Sequence, residues 1–223
     1  VRIEAYGLLG YGHATEVFVP ARHGDALVIA VVDRSALGPG DPVSGMDPQL
    51  GLVRLETTAP AIDVLDGPAA EEAWAAALAA GRLALAHELV GLTRAALELV
   101  VAHAGSRRQF GRPVGGYQAV KHRLADVKVA LVTAEEAAAE AGATGGPVEA
   151  LLAKIWAGRA ARTAGRHVQQ VLGGMGFTWE HAFHRYLRRM LADDALLGSH
   201  RELTAEVGRM IVDQGRTPEL ASL

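Results

Sequence analysis

A chain of 223 residues, half of them apolar, can bury a sizeable core and divide it between two modest domains. Its formal net charge of -3 gives no global basic field of the kind that draws nucleic acid or an anionic membrane surface, so any anion site must be built locally. The absence of cysteine removes disulfides, thiolate nucleophiles and thiolate-bound metal centres, and suits a cytoplasmic setting.

From Val1 to Val64 the pattern favours strands. Val1, Ile3 and Ala5 alternate, Glu16-Val17-Phe18-Val19 is short and β-prone, Ala26 to Val32 is a continuous apolar run, and Leu52 to Thr57 alternates again. Gly7, Gly10, Gly12, Pro20, Gly24, the Gly38-Pro39-Gly40 run and Pro42 punctuate this stretch. The expectation is a partial antiparallel sheet, a β-domain remnant over residues 1–66. The opening Val1-Arg2-Ile3-Glu4-Ala5-Tyr6 reads as the middle of a strand, without an initiator Met or a secretory leader, so the natural protein is expected to continue N-terminally.

From Pro68 the composition turns to Ala, Leu and Glu, and residues 67–223 are predicted to be helical. Asp66-Gly67-Pro68 starts a helix that keeps its apolar spacing through Leu78, Leu85, Leu89, Leu92, Leu99 and Val100 and ends at Gly105. His87 and Glu88 interrupt the Leu83 to Leu92 run, so no membrane span is predicted. A second helix runs from about Gly116 to Ala141 with Val120, Leu124, Val127 and Leu131 on one face, and its Ala-rich 133–143 end is expected to lie on the surface. Pro147 restarts a third helix through Leu151, Ile155, Val168 and Leu172, which stops at Gly173-Gly174-Met175-Gly176. A fourth helical region follows Thr178 and breaks near Leu197-Gly198-Ser199 before a last helix from about His200 to Asp213. The fold class is mainly α with a small β part: a four-helix bundle preceded by a partial β-domain.

Two constellations carry chemistry. Arg107, Arg108 and Arg112 cluster on the glycine turn of Arg107-Arg108-Gln109-Phe110-Gly111-Arg112-Pro113, where guanidinium forks could hold a phosphate; cations at a helix C-terminus also occur for purely structural reasons. Gln170-Val171-Leu172-Gly173-Gly174-Met175-Gly176-Phe177 follows a helix, not a strand, which excludes a Rossmann fingerprint and leaves a helix-closing glycine turn or a close backbone approach to a ligand. Nine histidines invite a metal reading, but His181, His184 and His200 find no carboxylates at ligand spacing, and no metal is expected. Trp74, Trp156 and Trp179 are expected to pack helices.

Arg-x-x-Phe-Gly from Arg107, then Gln118-Ala119-Val120-Lys121 with Leu124-Ala125-Asp126, Ala153-Lys154-x-x-Ala157, and Gln170-x-x-Gly173-Gly174-x-Gly176-Phe177, come in the order in which they occur in the C-terminal domain of the flavin-dependent acyl-CoA dehydrogenases, which the chain resembles over Gly81 to about Met210. The resemblance implies FAD as cofactor. It places Arg107 against the FAD pyrophosphate of a neighbouring subunit, Gln109 and Phe110 in adjoining contact positions, Gln170, Gly173 and Gly174 by the adenosine half, and Ser199 by the flavin. It also implies an oligomer, a dimer or dimer of dimers, an acyl-CoA thioester as substrate and an electron-accepting flavoprotein as partner. Arg189 stands where the family usually has Asp.

Such chemistry needs a carboxylate base for the α-proton while a hydride leaves the β-carbon. The resemblance locates the base either in Glu-Gly-Thr, about 21 residues beyond Gly176 and thus at Leu197 in Leu197-Gly198-Ser199, or before an Arg on the first helix, at Gly81 before Arg82. Neither position is acidic, so no catalytic base is assigned. Asp193, Asp194, Glu202 and Glu88 are nearby substitutes that read more simply as solvated helix-surface charges, and Arg82 is a candidate substrate-site residue. The expectation is an acyl-CoA dehydrogenase-family subunit that works with a related catalytic subunit, as some actinobacterial steroid-side-chain dehydrogenases do. The alternatives are a self-sufficient dehydrogenase with a displaced base and a non-enzymatic helical interaction protein.

Overall fold

The computed structural model describes residues 1–8, 13–215 and 217, so Gly10 and Gly12 lie outside the described residues. It divides into two compact units, Val1–Ala77 and Leu78–Leu223. The division falls eleven residues inside the first helix, α1 (Gly67–Ser106), whereas the composition changes at its start.

The first unit contains two small antiparallel sheets where one was expected. Strands β1 (Arg2–Gly7), β4 (Asp41–Pro42) and β5 (Val53–Thr58) form one in the order β1-β5-β4; β2 (Glu16–His23), β3 (Ala26–Asp33) and β6 (Asp63–Leu65) form the other in the order β2-β3-β6. Period-two alternation turns Ile3 and Leu55 inward from the first sheet, and they share a core with Ala30 and Val32 of β3, Leu37 and Ala59. The sequence treats Pro20 as punctuation, yet β2 continues through it to His23, with Pro20 opposite Ile29. This is possible because β2 is an edge strand, where the missing N–H costs no ladder bond on the open side.

The second unit holds the rest of α1, a two-strand hairpin of β7 (Arg108–Gln109) and β8 (Arg112–Pro113), α2 (Gln118–Thr144), α3 (Pro147–Leu172), a 3-10 turn over Gly173–Phe177, α4 (Phe183–Ala195) and α5 (His200–Gln214). Buried positions 86, 89, 93, 96 and 100 step by three and four along α1, and 127, 131, 134, 138 and 141 do so along α2. Ala134, Ala138 and Ala141 therefore belong to the core, correcting the surface expectation for 133–143; alanine suits close helix approach as well as exposure. Gly142 stays helical and the cap moves to Gly145, whose left-handed backbone returns its N–H to Ala141. Helix α3 is the central element, buried except for a stripe through Trp156, Arg159, Arg162, Arg166 and Gln170. A Cβ on Gly165 would come 2.9 Å from Leu187 Cδ1, and one on Gly158 would run into Asp194, so these glycines let α4 and the start of α5 seat directly on α3.

Helix α1 is long and apolar enough in composition to cross a membrane, contrary to the interruption argument from His87 and Glu88. Alanine supplies much of that apolarity; Leu89, Val90 and Val100 face the bundle core, while Val101 is exposed.

Candidate functional site

Two places in the helical unit gather the residues singled out above. The first is the hairpin between α1 and α2. Gln109 pairs with Arg112 across a two-residue turn in which Phe110 and Gly111 both have positive φ, 51° and 83°, the twist a tight hairpin requires but one an aromatic residue adopts at a cost. The turn is held by the Arg108 guanidinium donating to the Gly111 carbonyl at 2.9 Å and by the Tyr117 hydroxyl donating to the Gln109 carbonyl at 3.1 Å, with Arg112 stacked 3.9 Å over the Tyr117 ring.

Gln109 and Phe110 line an open pocket of about 400 Å³ with Tyr117, Arg123, Gln170 and Val171. Residues 61 positions apart, Gln109 and Gln170, are thus brought to one concavity. Arg107 follows the last residue of α1, beside the hairpin, with its side chain exposed, and makes no salt bridge among the described residues; it is not among the pocket's lining residues. Gly173 has φ 62° as the residue closing α3, a reason internal to the chain. Gly174 has none: its φ is not positive, and a Cβ there would meet nothing within 4 Å. A glycine with open space in front of it fits close approach by another molecule, and the pocket's Gln109 and Gln170 amides and Arg123 guanidinium fit a nucleotide-bearing cofactor such as FAD.

The segments that flank this pocket carry large apolar side chains in solvent: Phe110 is 93% exposed, Phe177 78% and Trp179 72%. Trp179 therefore does not pack helices as expected; its ring meets the His184 edge at 4.8 Å and lies under Arg188. Trp156, 38% exposed, stacks with Arg159. His181 accepts from the Phe183 N–H, and His184 Nδ1 meets the His181 carbonyl, so both rings serve the start of α4; no cluster of three possible metal ligands occurs among the described residues.

The second place is the turn between α4 and α5. A Cβ built on Gly81 of α1 would lie 2.6 Å from Leu197 Cδ1, so the two positions where the resemblance allows a base, 116 residues apart, converge on one spot, filled by a leucine methyl. Leu197 has φ 54°, a left-handed conformation that costs a branched side chain about 1 kcal/mol or more. Arg82 Nε donates to the Leu197 carbonyl at 3.3 Å, and the Arg82 guanidinium pairs with Glu206 at 3.2 Å. Ser199 is the N-cap of α5: its Oγ accepts from the Glu202 N–H, and both its N–H and its hydroxyl give to the Glu202 carboxylate, which holds Glu202 below the usual carboxylate pKa.

The substitute acids are committed elsewhere, and two are not surface charges at all. Asp193 and Asp194 are buried. Asp194 accepts from the His200 N–H at 3.1 Å and pairs with His200 Nδ1 at 2.8 Å. Glu88 pairs with Arg189 at 2.8 Å, so the Arg that replaces the usual Asp joins α4 to α1. Asp193 has no exposed surface from which to reach a substrate carbon.

Sequence reasoning passed over Lys154 as an active part of this turn. It is fully buried, and Nζ donates to the carbonyls of Asp194 at 3.0 Å and Gly198 at 3.3 Å, pinning both ends of the segment that presents Leu197. Burial pushes its pKa down to about 8, with Asp194 and Asp193 pulling the other way and Arg82 adding to the fall. The signal was a lysine among Leu151, Ile155 and Gly158 on an apolar helix.

A helical bundle with a two-sheet β-unit before it in the chain, a basic hairpin and a glycine turn on the bundle, and a strained turn at the α4 end define the C-terminal part of an acyl-CoA dehydrogenase fold. Residues 72–213 match the family described as acyl-CoA dehydrogenase, C-terminal domain, and the chain belongs to the acyl-CoA dehydrogenase family of oxidoreductases. It is 38% identical over 164 residues to the acyl-CoA dehydrogenase IpdE2 of Mycobacterium tuberculosis, covering 73% of this chain and 48% of that protein; it thus spans about half the length of that relative. Among solved structures, the Tcur3481-Tcur3483 steroid ACAD matches with TM-score 0.78 and 27% identity, over 91% of this chain and 56% of that one. The ChsE4-ChsE5 complex from Mycobacterium tuberculosis matches in fold, with TM-score 0.77 and 24% identity over 98% and 61%.

Proposed function

We propose that this chain is the FAD-contacting, base-lacking subunit of an acyl-CoA dehydrogenase whose α,β-dehydrogenation of an acyl-CoA thioester is completed by a related catalytic subunit. The observation that carries the reading is the meeting of Leu197 and Gly81. The two sequence positions available for the base lie at one point in space, neither is a carboxylate, and every acid around that point is capped, paired or buried.

Arg107 would place its guanidinium against the cofactor's pyrophosphate, Gln170 and the Gly174 backbone would take the adenosine half, and Gln109 and Phe110 would close the pocket over it. Ser199 would lie beside the flavin without donating to it, since both its N–H and its hydroxyl serve Glu202. Bound FAD supplies the hydride acceptor, and its electrons would leave to an electron-accepting flavoprotein. The α-proton requires a carboxylate that this chain does not offer at Leu197. The exposed Phe110, Phe177 and Trp179 suit coverage by a second subunit, and the two-protein names of the matched steroid ACAD and ChsE4-ChsE5 complex agree with a heteromer. The alternative of a displaced base is disfavoured by the same commitments of Asp194, Glu202 and Glu88.

The test is to reconstitute the chain with FAD and an acyl-CoA, alone and with a candidate catalytic subunit, and to follow flavin bleaching. Bleaching only in the mixture is expected. Rapid bleaching by the chain alone would overturn the assignment, and a flavin-free protein in both preparations would favour a purely structural role.

A further inference from the structure

Beneath the Leu197 turn lies a charge cluster that the reading above does not use. Asp193, near the end of α4, exposes none of its surface, and neither carboxyl oxygen has a hydrogen-bond partner as an ionised acceptor. The charged groups facing it are Glu88 from α1, Arg189 from α4 and Lys154 from α3. Arg189 donates to Glu88 at 2.8 Å, Lys154 donates to the carbonyls of Asp194 and Gly198, Asp194 is taken by His200 of α5, and Arg82 by Glu206. The polar neighbour left to Asp193 is thus a second carboxylate. Two ionised carboxylates are both acceptors and cannot bond, and a buried charge without a donor is costly. One proton removes both difficulties, because a protonated Asp193 can donate to Glu88 while Glu88 stays negative for Arg189.

We propose that Asp193 and Glu88 form a buried carboxyl pair that shares one proton and joins α4 to α1 behind the turn that carries Leu197. Burial first, and the Glu88 charge second, push the Asp193 pKa up to about 7, against the weaker pull of Arg189 and Lys154. A raised carboxyl is protonated when folded and ionised when unfolded between the two pKa values. Its contribution to stability is therefore complete below about pH 4 and is lost as pH rises towards about 7. Release of the proton also sets a negative charge beside Lys154, where it competes with the two carbonyls that Lys154 holds, so the pair's proton and the Leu197 turn are linked.

The decisive measurement on this chain is the pH dependence of the Asp193 side-chain carboxyl carbon by NMR, with denaturant unfolding of the wild type and Asp193→Asn at pH 5 and pH 8. The carbon is expected to titrate between about pH 6 and 8. The unfolding equilibrium constant of the wild type should rise about tenfold or more, relative to the Asn variant, between the two pH values. Glu88→Gln should move the Asp193 titration downward, since it removes the repelling charge and frees Arg189. An Asp193 carbon that titrates in the ordinary carboxylate range, or equal pH dependence in wild type and Asp193→Asn, would overturn the proposal. The carbon titration is read on the unmodified protein, so it stands even if a variant fails to fold.

Discussion

Around the Arg107 hairpin the chain leaves large side chains uncovered, strains Phe110 to hold a turn in solvent and places a glycine before open space. Around Leu197 it does the reverse: the turn is equally strained, but a leucine methyl fills the gap over Gly81, and Arg82, Arg189 and His200 each pair with an acid within the bundle. A left-handed backbone kept at both places says that both geometries are maintained against a cost, since Leu and Phe gain nothing locally from φ near 50°. What separates them is unfinished bonding. The hairpin leaves Arg107 without a salt bridge among the described residues and Phe110 in solvent, which suits a cofactor and a neighbouring subunit. At the Leu197 turn the carbonyls of Leu197 and Gly198 and the N–H and hydroxyl of Ser199 have partners within the bundle, so this turn is held from within.

The sharpest way to break this contrast is to put the reactive group back. Leu197→Glu should raise flavin reduction by acyl-CoA about 10²- to 10⁴-fold over the wild-type chain, the usual worth of a general base, if FAD and the acyl chain reach this turn. No gain with FAD bound, measured by stopped-flow bleaching, would mean that the reaction centre lies elsewhere. At the hairpin, Arg107→Ala should weaken FAD binding about tenfold to a hundredfold, the loss of a charge-assisted bond to phosphate, read as flavin released on dilution. Equal retention would remove Arg107 from the site.

Smaller effects test whether the Leu197 turn is held from within. Ser199→Ala removes the α5 cap and should cost about 1 kcal/mol in thermal or denaturant unfolding, and FAD affinity should stay unchanged if the hydroxyl serves only Glu202. Gly81→Ala should gain up to about 1 kcal/mol from helix propensity yet lose most of it to the Leu197 contact. In a Leu197→Ala background the same change should show the full gain. A double-mutant cycle with no coupling between the two positions would deny the convergence seen here.

The helices were legible because their apolar residues recur at three and four, and Val127 and Leu131 are buried as that spacing requires. The hairpin was legible as a phosphate-binding candidate because Arg107 to Pro113 and Gln170 to Phe177 are local motifs, although their shared pocket was not. Less was readable where one residue type serves two environments. Alanine 134, 138 and 141 suit core and surface alike, and Trp179 looked like core but is exposed because segment 173–182 is closed by a 3-10 turn and not packed as helix. The single expected sheet became two because strand pairing is decided by which edges meet, not by the period within each strand.

By itself the sequence determined the helical class of the second unit, the family motifs and the absence of a carboxylate at residues 81 and 197, since periodicity, turn chemistry and residue identity are properties of short stretches. Only the tertiary structure decided that residues 81 and 197 are the same place, that Asp193 and Asp194 are interior, and that Lys154 ties the turn down. Each of these depends on contacts across 40 to 116 residues of chain, where burial and the pairing of charges are set by which helices pack together and leave no trace in local spacing.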